Sequence, residues 1–325
     1  MRILVTGSAG HLGEALVRVL GEEGHEVVGL DILSSPQTSI VGSVADRACV
    51  NRAMAGVEAV IHSATLHKPH VGTHDWAEFV ETNISGTLSL LEAAVAAGVT
   101  RFVFTSTTST FGRALEPAAG EPAAWVTEDV VPVPRNVYGV TKFAAENLCE
   151  LVWRDHGLPC LILRTSRFFP EGDDSDDVRA AFPDLNSKVN ELLHRRADIE
   201  DVVSAHRLAL EQAPEIGFGR YLITATTPFT RDDLTAVRHD LPAVVRRLFP
   251  DYEEIYAERG WRMYPTIGRV YVNERARREL GWAPRYDFRA ALDALAQGAD
   301  PRSPLALSIG AKGYHAETTG IYTVR

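Results

Sequence analysis

A glycine-rich turn near the amino terminus places the strongest constraint on the fold. It follows a short apolar run, Arg2–Thr6, and reads Thr-Gly-Ser-Ala-Gly-His-Leu-Gly from Thr6 to Gly13, where a helical pattern begins. Glycines in such a turn let the chain bend sharply and let bare backbone approach a pyrophosphate at the helix N-terminus. Asp31 ends the next predicted strand, where a carboxylate would bind a ribose 2′-hydroxyl and repel a 2′-phosphate. This order of features predicts a dinucleotide site that favours NAD over NADP.

The first half of the chain alternates short β-branched runs with longer helical patterns. This alternation is typical of an α/β fold with a doubly wound parallel sheet, the Rossmann architecture. The predicted strands are Arg2–Thr6, Glu26–Leu30, Ala59–His62, Arg101–Thr105 and Pro159–Leu163. The predicted helices, in which apolar residues recur at helical spacing, are Leu12–Glu22, Asp46–Ala55, Trp76–Ala97 and Tyr138–His156.

The second half of the chain loses this regular alternation. Residues 169–183 are rich in Pro, Gly and Asp, and Tyr221–Ala225 alone still has a clear strand pattern. The predicted helices in this half are Asp201–Glu211, Arg231–His239, Asn273–Leu280 and Phe288–Gln297.

These patterns predict a Rossmann domain followed by a smaller C-terminal substrate-binding lobe. The Rossmann domain is expected over residues 1–165, and later elements near 199–225 are expected to return to it. The substrate-binding lobe is expected to consist of 166–198 and 226–297. Residues 298–325 form a C-terminal tail without a sustained period, which is an ordered wrap, a contact for a partner or disordered.

Composition excludes several classes of protein. The formal net charge of −10 argues against nucleic acid as a partner, because phosphate backbones are bound by clustered Lys and Arg. The 3 cysteines have no CxxC spacing and no disulfide pattern, as is typical of a reducing compartment. No apolar run has the length of a membrane span or the form of a signal peptide. We therefore expect a cytoplasmic protein that acts on a small molecule and contacts no membrane.

Tyr138 and Lys142 form a candidate proton-transfer pair. They are four residues apart in a helical pattern, so both side chains lie on one face of the same helix. A free phenol has a pKa of about 10, but an adjacent ammonium and a positively charged nicotinamide ring favour the phenolate. The pair therefore predicts a general acid/base that exchanges a hydroxyl proton during hydride transfer. The hydroxyls of Ser106–Ser109, which end the fourth predicted strand, are placed to orient a substrate oxygen.

The chain resembles the extended short-chain dehydrogenase/reductase family, the NAD-dependent epimerase/dehydratase group. In the segment 104–112, alignment on the closing aromatic-Gly pair places Thr107 at the family's catalytic Ser or Thr. The resemblance implies Thr107, Tyr138 and Lys142 as catalytic residues, and a homodimer formed through the two long predicted helices. The segments that carry it are Thr6–Gly13, Ala59–Ala64, Asn83–Thr87, Tyr138-x-x-x-Lys142, Leu163-Arg164 and Arg278–Pro284.

The resemblance also implies positions for cofactor and substrate. Asn83, Ala64 and Lys142 are expected along the nicotinamide riboside, with Ser43 and Val44 near the adenine. The full expected NAD site consists of Gly7, Ala9, Gly10, His11, Leu12, Gly13, Asp31, Ser43, Val44, Ser63, Ala64, Thr65, Asn83, Thr105, Tyr138, Lys142 and Thr165. The candidates for substrate binding are His67, Lys68, Thr107, Thr108, Arg167 and Arg196.

Two departures from the family pattern concern the substrate. Arg167 stands where the epimerases carry an Asn that contacts the nucleotide sugar. The region 170–196 is short and lacks the Gly-rich hairpin that normally lies against the nucleotide. Arg167 and Arg196 are nevertheless candidates to hold a phosphate or carboxylate, although both are also suited to pairing with nearby acids.

Several reactions agree with this pattern. NAD would oxidise a secondary hydroxyl of a sugar or sugar-nucleotide, and the ketone is then either reduced on its other face, as in an epimerase, or released, as in a dehydrogenase. A dehydrogenase or reductase acting on a smaller polar substrate agrees better with the missing hairpin. A dehydratase is disfavoured because Thr108 and Ser109 stand where an Asp-Glu pair would be needed. A regulator that senses NAD without chemistry is disfavoured by the intact catalytic set.

Two clusters suggest metal binding but are interpreted otherwise. His62, His67, His70 and His74 are closely spaced, yet Pro69 and Gly72 interrupt any regular element and no Cys or carboxylate pair completes a site. The aspartates of 173–177 lack the Gly and Glu of a calcium loop. We therefore expect no metal site.

Overall fold

A seven-stranded parallel sheet forms the centre of the molecule, which the computed structural model describes over residues 1–312. Within these residues the strands are β1 (Arg2–Thr6), β2 (Glu26–Asp31), β3 (Ile40–Val41), β4 (Ala59–His62), β5 (Arg101–Thr107), β6 (Ala124–Val126), β7 (Cys160–Thr165), β8 (Phe218–Ile223) and β9 (Arg269–Tyr271). The order in the main sheet is β3-β2-β1-β4-β5-β7-β8, and β6 pairs with β9 in a separate parallel ladder. Because the strand order reverses between β1 and β4, the predicted doubly wound α/β sheet is confirmed.

Helices cover both faces of this sheet and also form a lobe beside it. They are α1 (His11–Glu22), α2 (Arg47–Ala53), α3 (Trp76–Phe79), α4 (Gly86–Ala97), α5 (Val137–His156), α6 (Asp176–Ala181), α7 (Asp184–Leu192), α8 (Ile199–Ile216), α9 (Leu234–His239), α10 (Leu241–Leu248), α11 (Tyr252–Ala257), α12 (Glu274–Glu279), α13 (Phe288–Ala296) and α14 (Pro304–Ile309). A π-helical segment, Val80–Ser85, joins α3 to α4, so the predicted helix 76–97 is one continuous helical run.

The alternation of side chains along the strands fills two cores. Ile3 and Val5 of β1 belong to the core beneath α1 and α8, whereas Leu4 belongs to the core beneath α2, α4 and α5. Every one of these side chains is fully buried, which is why the central strands are apolar on both faces. Gly98 and Gly157 end α4 and α5 in the left-handed conformation, as expected for glycines that follow helix ends.

A third core lies outside the sheet, in the second half of the chain. It is formed by apolar faces of α7, α9, α10, α11 and α13, with Val237, Leu241 and Leu292 fully buried. β8 lies at the edge of the main sheet beside β7, so part of 199–225 does return to the sheet. The domain limits drawn from the sequence remain a prediction.

The sequence patterns located the long elements well and several short ones not at all. β8 runs from Phe218 to Ile223, so it begins three residues before the predicted strand 221–225. Its first residues include the polar Arg220, which hid the start of this edge strand from the apolar pattern. α6, which lies within the Pro-, Gly- and Asp-rich stretch 169–183, and α7 were not predicted. α10, α11 and α14 were also not predicted.

The C-terminal tail is an ordered wrap as far as it is described. α14 packs against the first core through Ile309, and Gly310 accepts a hydrogen bond at its carbonyl oxygen from Nδ1 of His11, at 2.9 Å. Residues 313–325 lie outside the described part of the chain. No helix within residues 1–312 combines the length and the apolar character that crossing a membrane requires.

Candidate active site

A cavity of about 480 Å³ opens at the carboxyl edge of the main sheet. It lies where β1 and β4 are adjacent, at the point where the strand order reverses. Ligands of open α/β sheets bind at this switch point, because the loops on its two sides diverge and leave a crevice. The glycine turn 7–13 lines one side of the cavity, and the segments that follow β5 and β7 line the other.

The glycine turn leaves backbone exposed where a side chain could not fit. Gly7 has φ +76°, and a Cβ atom on Gly13 would lie 1.9 Å from the carbonyl oxygen of Gly7. Gly10 caps α1 without a side-chain hydrogen bond to the first turn of the helix. The amide groups at the N-terminus of α1 are therefore open to an anionic ligand, which fits the pyrophosphate of NAD.

Asp31 lies at the end of β2 beside the glycine turn. Its Oδ2 accepts a hydrogen bond from the Ala9 amide at 2.9 Å, and its Oδ1 accepts one from the Leu33 amide, also at 2.9 Å. The carboxylate lines the cavity and is held in place by both amides. It therefore presents negative charge at the position where a ribose hydroxyl can donate a hydrogen bond and a 2′-phosphate is repelled.

Tyr138 and Thr107 meet on the cavity wall. Tyr138 lies in the first turn of α5, whose N-cap Asn136 accepts a hydrogen bond from the Gly139 amide at 3.0 Å. Thr107 ends β5, and its hydroxyl accepts a hydrogen bond from the Ser109 amide at 3.1 Å. Both side chains line the cavity, and the Thr107 hydroxyl is near enough to the Tyr138 phenol to lower its pKa. The two hydroxyls predicted to act on one substrate oxygen are thus brought together.

Burial shifts the proton affinities of the predicted pair. It raises the pKa of Tyr138 to about 12, with partial opposition from the Thr107 hydroxyl. It lowers the pKa of Lys142 to about 7, against the opposing charges of Cys149 and Glu146. Desolvation is the largest cause of both shifts, and the effect of the ammonium and the nicotinamide ring on Tyr138 stays a prediction. Tyr138 is therefore a protonated phenol at neutral pH, ready to donate a proton.

Most predicted site residues line this one cavity. Those that do are Gly7, Ala9, Gly10, His11, Leu12, Gly13, Asp31, Ser43, Val44, Ser63, Ala64, Thr65, His67, Lys68, Thr105, Thr107, Thr108, Tyr138, Thr165, Arg167 and Arg196.

Asn83 and Lys142 do not line the cavity and lie behind its wall. The Asn83 amide accepts hydrogen bonds from the Leu66 amide and the Thr65 hydroxyl, both at 2.9 Å, and donates one to Thr141 at 3.0 Å. Lys142 is 2% exposed, and its Nζ lies 3.9 Å from the centre of the Phe104 ring. In this structure Asn83 fixes the loop after β4, and Lys142 supports the wall from the sheet side.

Charged side chains form the wall opposite the glycine turn. Glu191 is buried and pairs with three arginines, Arg167 at 2.9 Å, Arg195 at 2.7 Å and Arg196 at 2.7 Å. Asp173 pairs with Arg167 and with Arg195. Burial opposes ionisation of Glu191, but Arg196, Arg195 and Arg167 outweigh it and hold the pKa of this carboxyl well below its usual range. Arg167 and Arg196, predicted as substrate ligands, are thus already paired with acids.

Several cavity residues were not predicted from the sequence. Phe168 and Phe169 lie in the loop that follows β7, so the rule that ligands contact the loops at strand ends would have found them. Phe168 stacks on His11 of the glycine turn, with ring centres 6.1 Å apart. Arg269 and Tyr271 also line the cavity, but they come from β9, a three-residue strand that leaves no recognisable period.

Two residues of the histidine cluster, His67 and His70, line the cavity. His62 is buried between the Thr6 hydroxyl at 2.8 Å and the Thr87 hydroxyl at 3.0 Å, where it joins β1, β4 and α4. Nδ1 of His70 accepts a hydrogen bond from the His67 amide at 3.0 Å. Among residues 1–312, no group of three or more His, Cys, Asp or Glu side chains is placed to hold a metal ion.

Comparison with known proteins identifies the family. Residues 3–223 match the model of the NAD dependent epimerase/dehydratase family. The chain belongs to this family. The UDP-glucose 4-epimerase of Rhizobium meliloti is 27% identical over 325 residues, which cover 89% of this chain and 94% of that protein. The 2-alkyl-3-oxoalkanoate reductase of Stenotrophomonas maltophilia is 35% identical over 182 residues, 53% of this chain and 52% of that protein.

A solved structure with the same fold contains the cofactor. A short-chain dehydrogenase/reductase superfamily protein from Agrobacterium tumefaciens, crystallised with bound NAD, superposes with a TM-score of 0.67 at 27% identity. The match covers 91% of this chain and 96% of that one. The predicted family, the Rossmann fold and the class of NAD-dependent enzyme are therefore confirmed.

Proposed function

We propose that this family member binds NAD in the described cavity and oxidises a secondary hydroxyl of a sugar or sugar-nucleotide. The observation that carries this proposal is that Thr107 and Tyr138 line the same cavity as the glycine turn. The 4-epimerase named above, which this chain matches over most of its length, supports a sugar-nucleotide as the substrate.

The chain's own residues would hold the cofactor through backbone and carboxylate groups. The amides at the N-terminus of α1 would bind the pyrophosphate, and Asp31 would accept a hydrogen bond from the adenosine ribose. When bound, NAD supplies the hydride acceptor and a positive ring that favours the Tyr138 phenolate.

Tyr138 would then move the proton of the reaction. Thr107 would orient the substrate oxygen. Tyr138 as a phenolate would accept the proton of a hydroxyl, and as a phenol it would donate a proton to a ketone. Burial raises the pKa of Tyr138 to about 12, so the oxidation of a hydroxyl requires the positive nicotinamide ring to lower this pKa. Lys142 acts from behind the wall, so its influence on the phenol is electrostatic.

A dehydrogenase or reductase acting on a smaller polar substrate is the second candidate. The region where the epimerases carry a nucleotide-binding hairpin is here occupied by α6 and α7, and α7 packs into the third core. Arg167 and Arg196, the residues there that would bind phosphate, are paired with Glu191. The similarity to an oxoalkanoate reductase over half the chain supports this candidate.

The fate of the cofactor tests the first candidate against the second. The epimerase proposal predicts that purified protein retains NAD and interconverts UDP-glucose and UDP-galactose without added cofactor. The dehydrogenase proposal predicts NADH absorbance that appears only when both NAD+ and a hydroxyl substrate are supplied. A protein that binds NAD but transfers no hydride to or from any of these compounds would contradict both.

A homodimer formed by α3–α4 and α5 belongs to the same proposal. Trp76 is 75% exposed and Val140 is 51% exposed, both on these helices. Exposed aromatic and aliphatic side chains on neighbouring helices suit an interface between copies. Sedimentation of the wild type and of Trp76→Glu tests this, since a dimer with this interface should dissociate in the variant.

A further inference from the structure

Arg269 is a cation on the cavity wall with no acidic partner in the described structure. It begins β9 and is half-buried, and its Nε is buried without a hydrogen-bond partner. Its guanidinium forms no ion pair or hydrogen bond with any residue of 1–312, and its one aromatic contact is a distant one, 5.9 Å from the Tyr271 ring. Burial and the nearby charges of Arg195, Arg135 and Arg167 lower the pKa of this group, so the site repels its own cation.

The other cations on this wall are neutralised by the protein. Arg135 pairs with Glu116, and Lys68 pairs with Asp174. The remaining three, Arg167, Arg195 and Arg196, share Glu191 and Asp173 as described above. Arg269 thus differs from the neighbouring cations in having no acidic partner among residues 1–312. A half-buried guanidinium without a counter-charge destabilises the protein unless a ligand supplies the negative charge.

Asp174 and Glu171, two acids that line the cavity, form no ion pair with Arg269 in the described residues. Asp174 faces Lys68 and Arg167, and Glu171 lies near the ammonium of Lys188. The missing negative charge is therefore one that the substrate can bring. A planar guanidinium with free donors is suited to a carboxylate or phosphate oxygen, which it can bind through two parallel hydrogen bonds.

We propose that Arg269 is a specificity-determining residue that binds an anionic group, a carboxylate or a phosphate, on the substrate of this cavity. The inference rests on the proposed function for the presence of a substrate here, and it deepens it by naming the substrate class: a hydroxyl compound that carries an acid group.

Binding of matched sugars tests this without requiring turnover. D-galactose, D-galacturonate and D-galactose 1-phosphate are titrated calorimetrically into protein saturated with NADH, in which no hydroxyl can be oxidised. We expect at least one of the two anionic sugars to bind about tenfold more tightly than galactose, as a charge-assisted hydrogen bond supports. Tighter binding of D-galacturonate would indicate a carboxylate on the substrate, and tighter binding of D-galactose 1-phosphate would indicate a phosphate.

Three variants assign the preference to Arg269. Arg269→Met should lose it while galactose binding stays unchanged, and Arg269→Lys should keep part of it, which also shows that the site still folds. Arg277→Met, which removes an exposed arginine of α12, should keep the full preference. A preference that survives in Arg269→Met, an equal affinity for all three sugars in the wild type, or no binding of any of them would overturn the inference. Because binding is measured without hydride transfer, a negative result would contradict the role of Arg269 and would not by itself contradict the proposed oxidation of a hydroxyl.

Discussion

The two sides of the cavity present different chemical groups to a ligand. The glycine turn 7–13 presents backbone amides, and its one acid, Asp31, is held by two of them. The opposite wall presents the side chains of Arg167, Arg195 and Arg196, neutralised by buried acids. The first side offers a ligand the shape of the main chain, whereas on the second side Arg269 is the cation without an acidic partner among residues 1–312.

This difference teaches how each side should respond to change. A site made of backbone groups is disrupted by adding side-chain atoms, because the ligand can approach the main chain only where no Cβ atom is in the way. A charged wall is destroyed by removing atoms, because each deleted partner leaves a buried charge uncompensated. The variants below test this contrast from the largest expected effect to the smallest.

Removing the central acid of the charged wall should have the largest effect. Glu191→Gln keeps the shape of the side chain but leaves three arginines with reduced compensation, so the free energy of unfolding should fall by about 3 kcal/mol or more. Urea denaturation measures this. Glu211→Gln, an exposed acid 3.8 Å from Arg207, is the control and should change stability by less than about 1 kcal/mol. Equal effects of the two substitutions would contradict the role of the buried network.

Adding one methyl group to the backbone side should nearly abolish cofactor binding. In Gly13→Ala the new Cβ would overlap the Gly7 carbonyl, which should cost about 3 kcal/mol, roughly a hundredfold in the Kd for NAD. Gly21→Ala, in the same helix, meets nothing within 4 Å and should leave the Kd unchanged while slightly raising stability. Titration of NADH fluorescence compares the two. Unchanged affinity in Gly13→Ala would place the cofactor elsewhere.

Removing charge from the backbone side should change selectivity more than affinity. Asp31→Asn keeps an acceptor for a ribose hydroxyl but removes the repulsion of a 2′-phosphate, so the affinity ratio of NADP to NAD should rise about tenfold. Parallel titrations with both cofactors measure the ratio. Asp46→Asn, at the N-cap of α2, should not alter it. A ratio that stays constant in Asp31→Asn would remove Asp31 from the cofactor site.

Lys142 should produce the smallest effect when stability is compared over one pH unit above neutrality, about 1 kcal/mol. Its pKa is about 7 when folded and 10.5 ordinarily, so between these values the unfolded chain binds more protons than the folded protein. The stability of the wild type should therefore rise with pH across this range relative to Lys142→Met, which lacks the group. Urea midpoints of both proteins at several pH values test the sign. A stability difference that does not vary with pH would show that Lys142 is not buried as described.

The contrast between the two sides also explains what the sequence could predict. The turn 7–13, Asp31 and the pair at 138 and 142 are local patterns, in which spacing along the chain fixes position in space. The charged wall depends on contacts such as that between Arg167 and Glu191, which lie 24 residues apart on different elements. Arg269 comes from a strand too short to show a period, and its importance follows from the absence of a partner, which only coordinates reveal.

Short elements account for most of the differences in the fold. Strands β3, β6 and β9 contain two or three residues, fewer than an alternation needs to be recognised. The raised pKa of Tyr138 was also beyond the sequence, since the burial that causes it depends on the packing of α5 against β5. The sequence therefore predicted which groups could react but not their protonation at rest.

The rate of hydride transfer in Tyr138→Phe tests the central claim most directly. With NAD+ and a substrate that the wild type oxidises, NADH formation is followed in both proteins, and the Kd for NAD is measured in parallel. Loss of a general acid/base should lower the rate by about a hundredfold or more while the Kd stays nearly constant. An unchanged rate in Tyr138→Phe would show that the phenol on the cavity wall takes no part in the reaction.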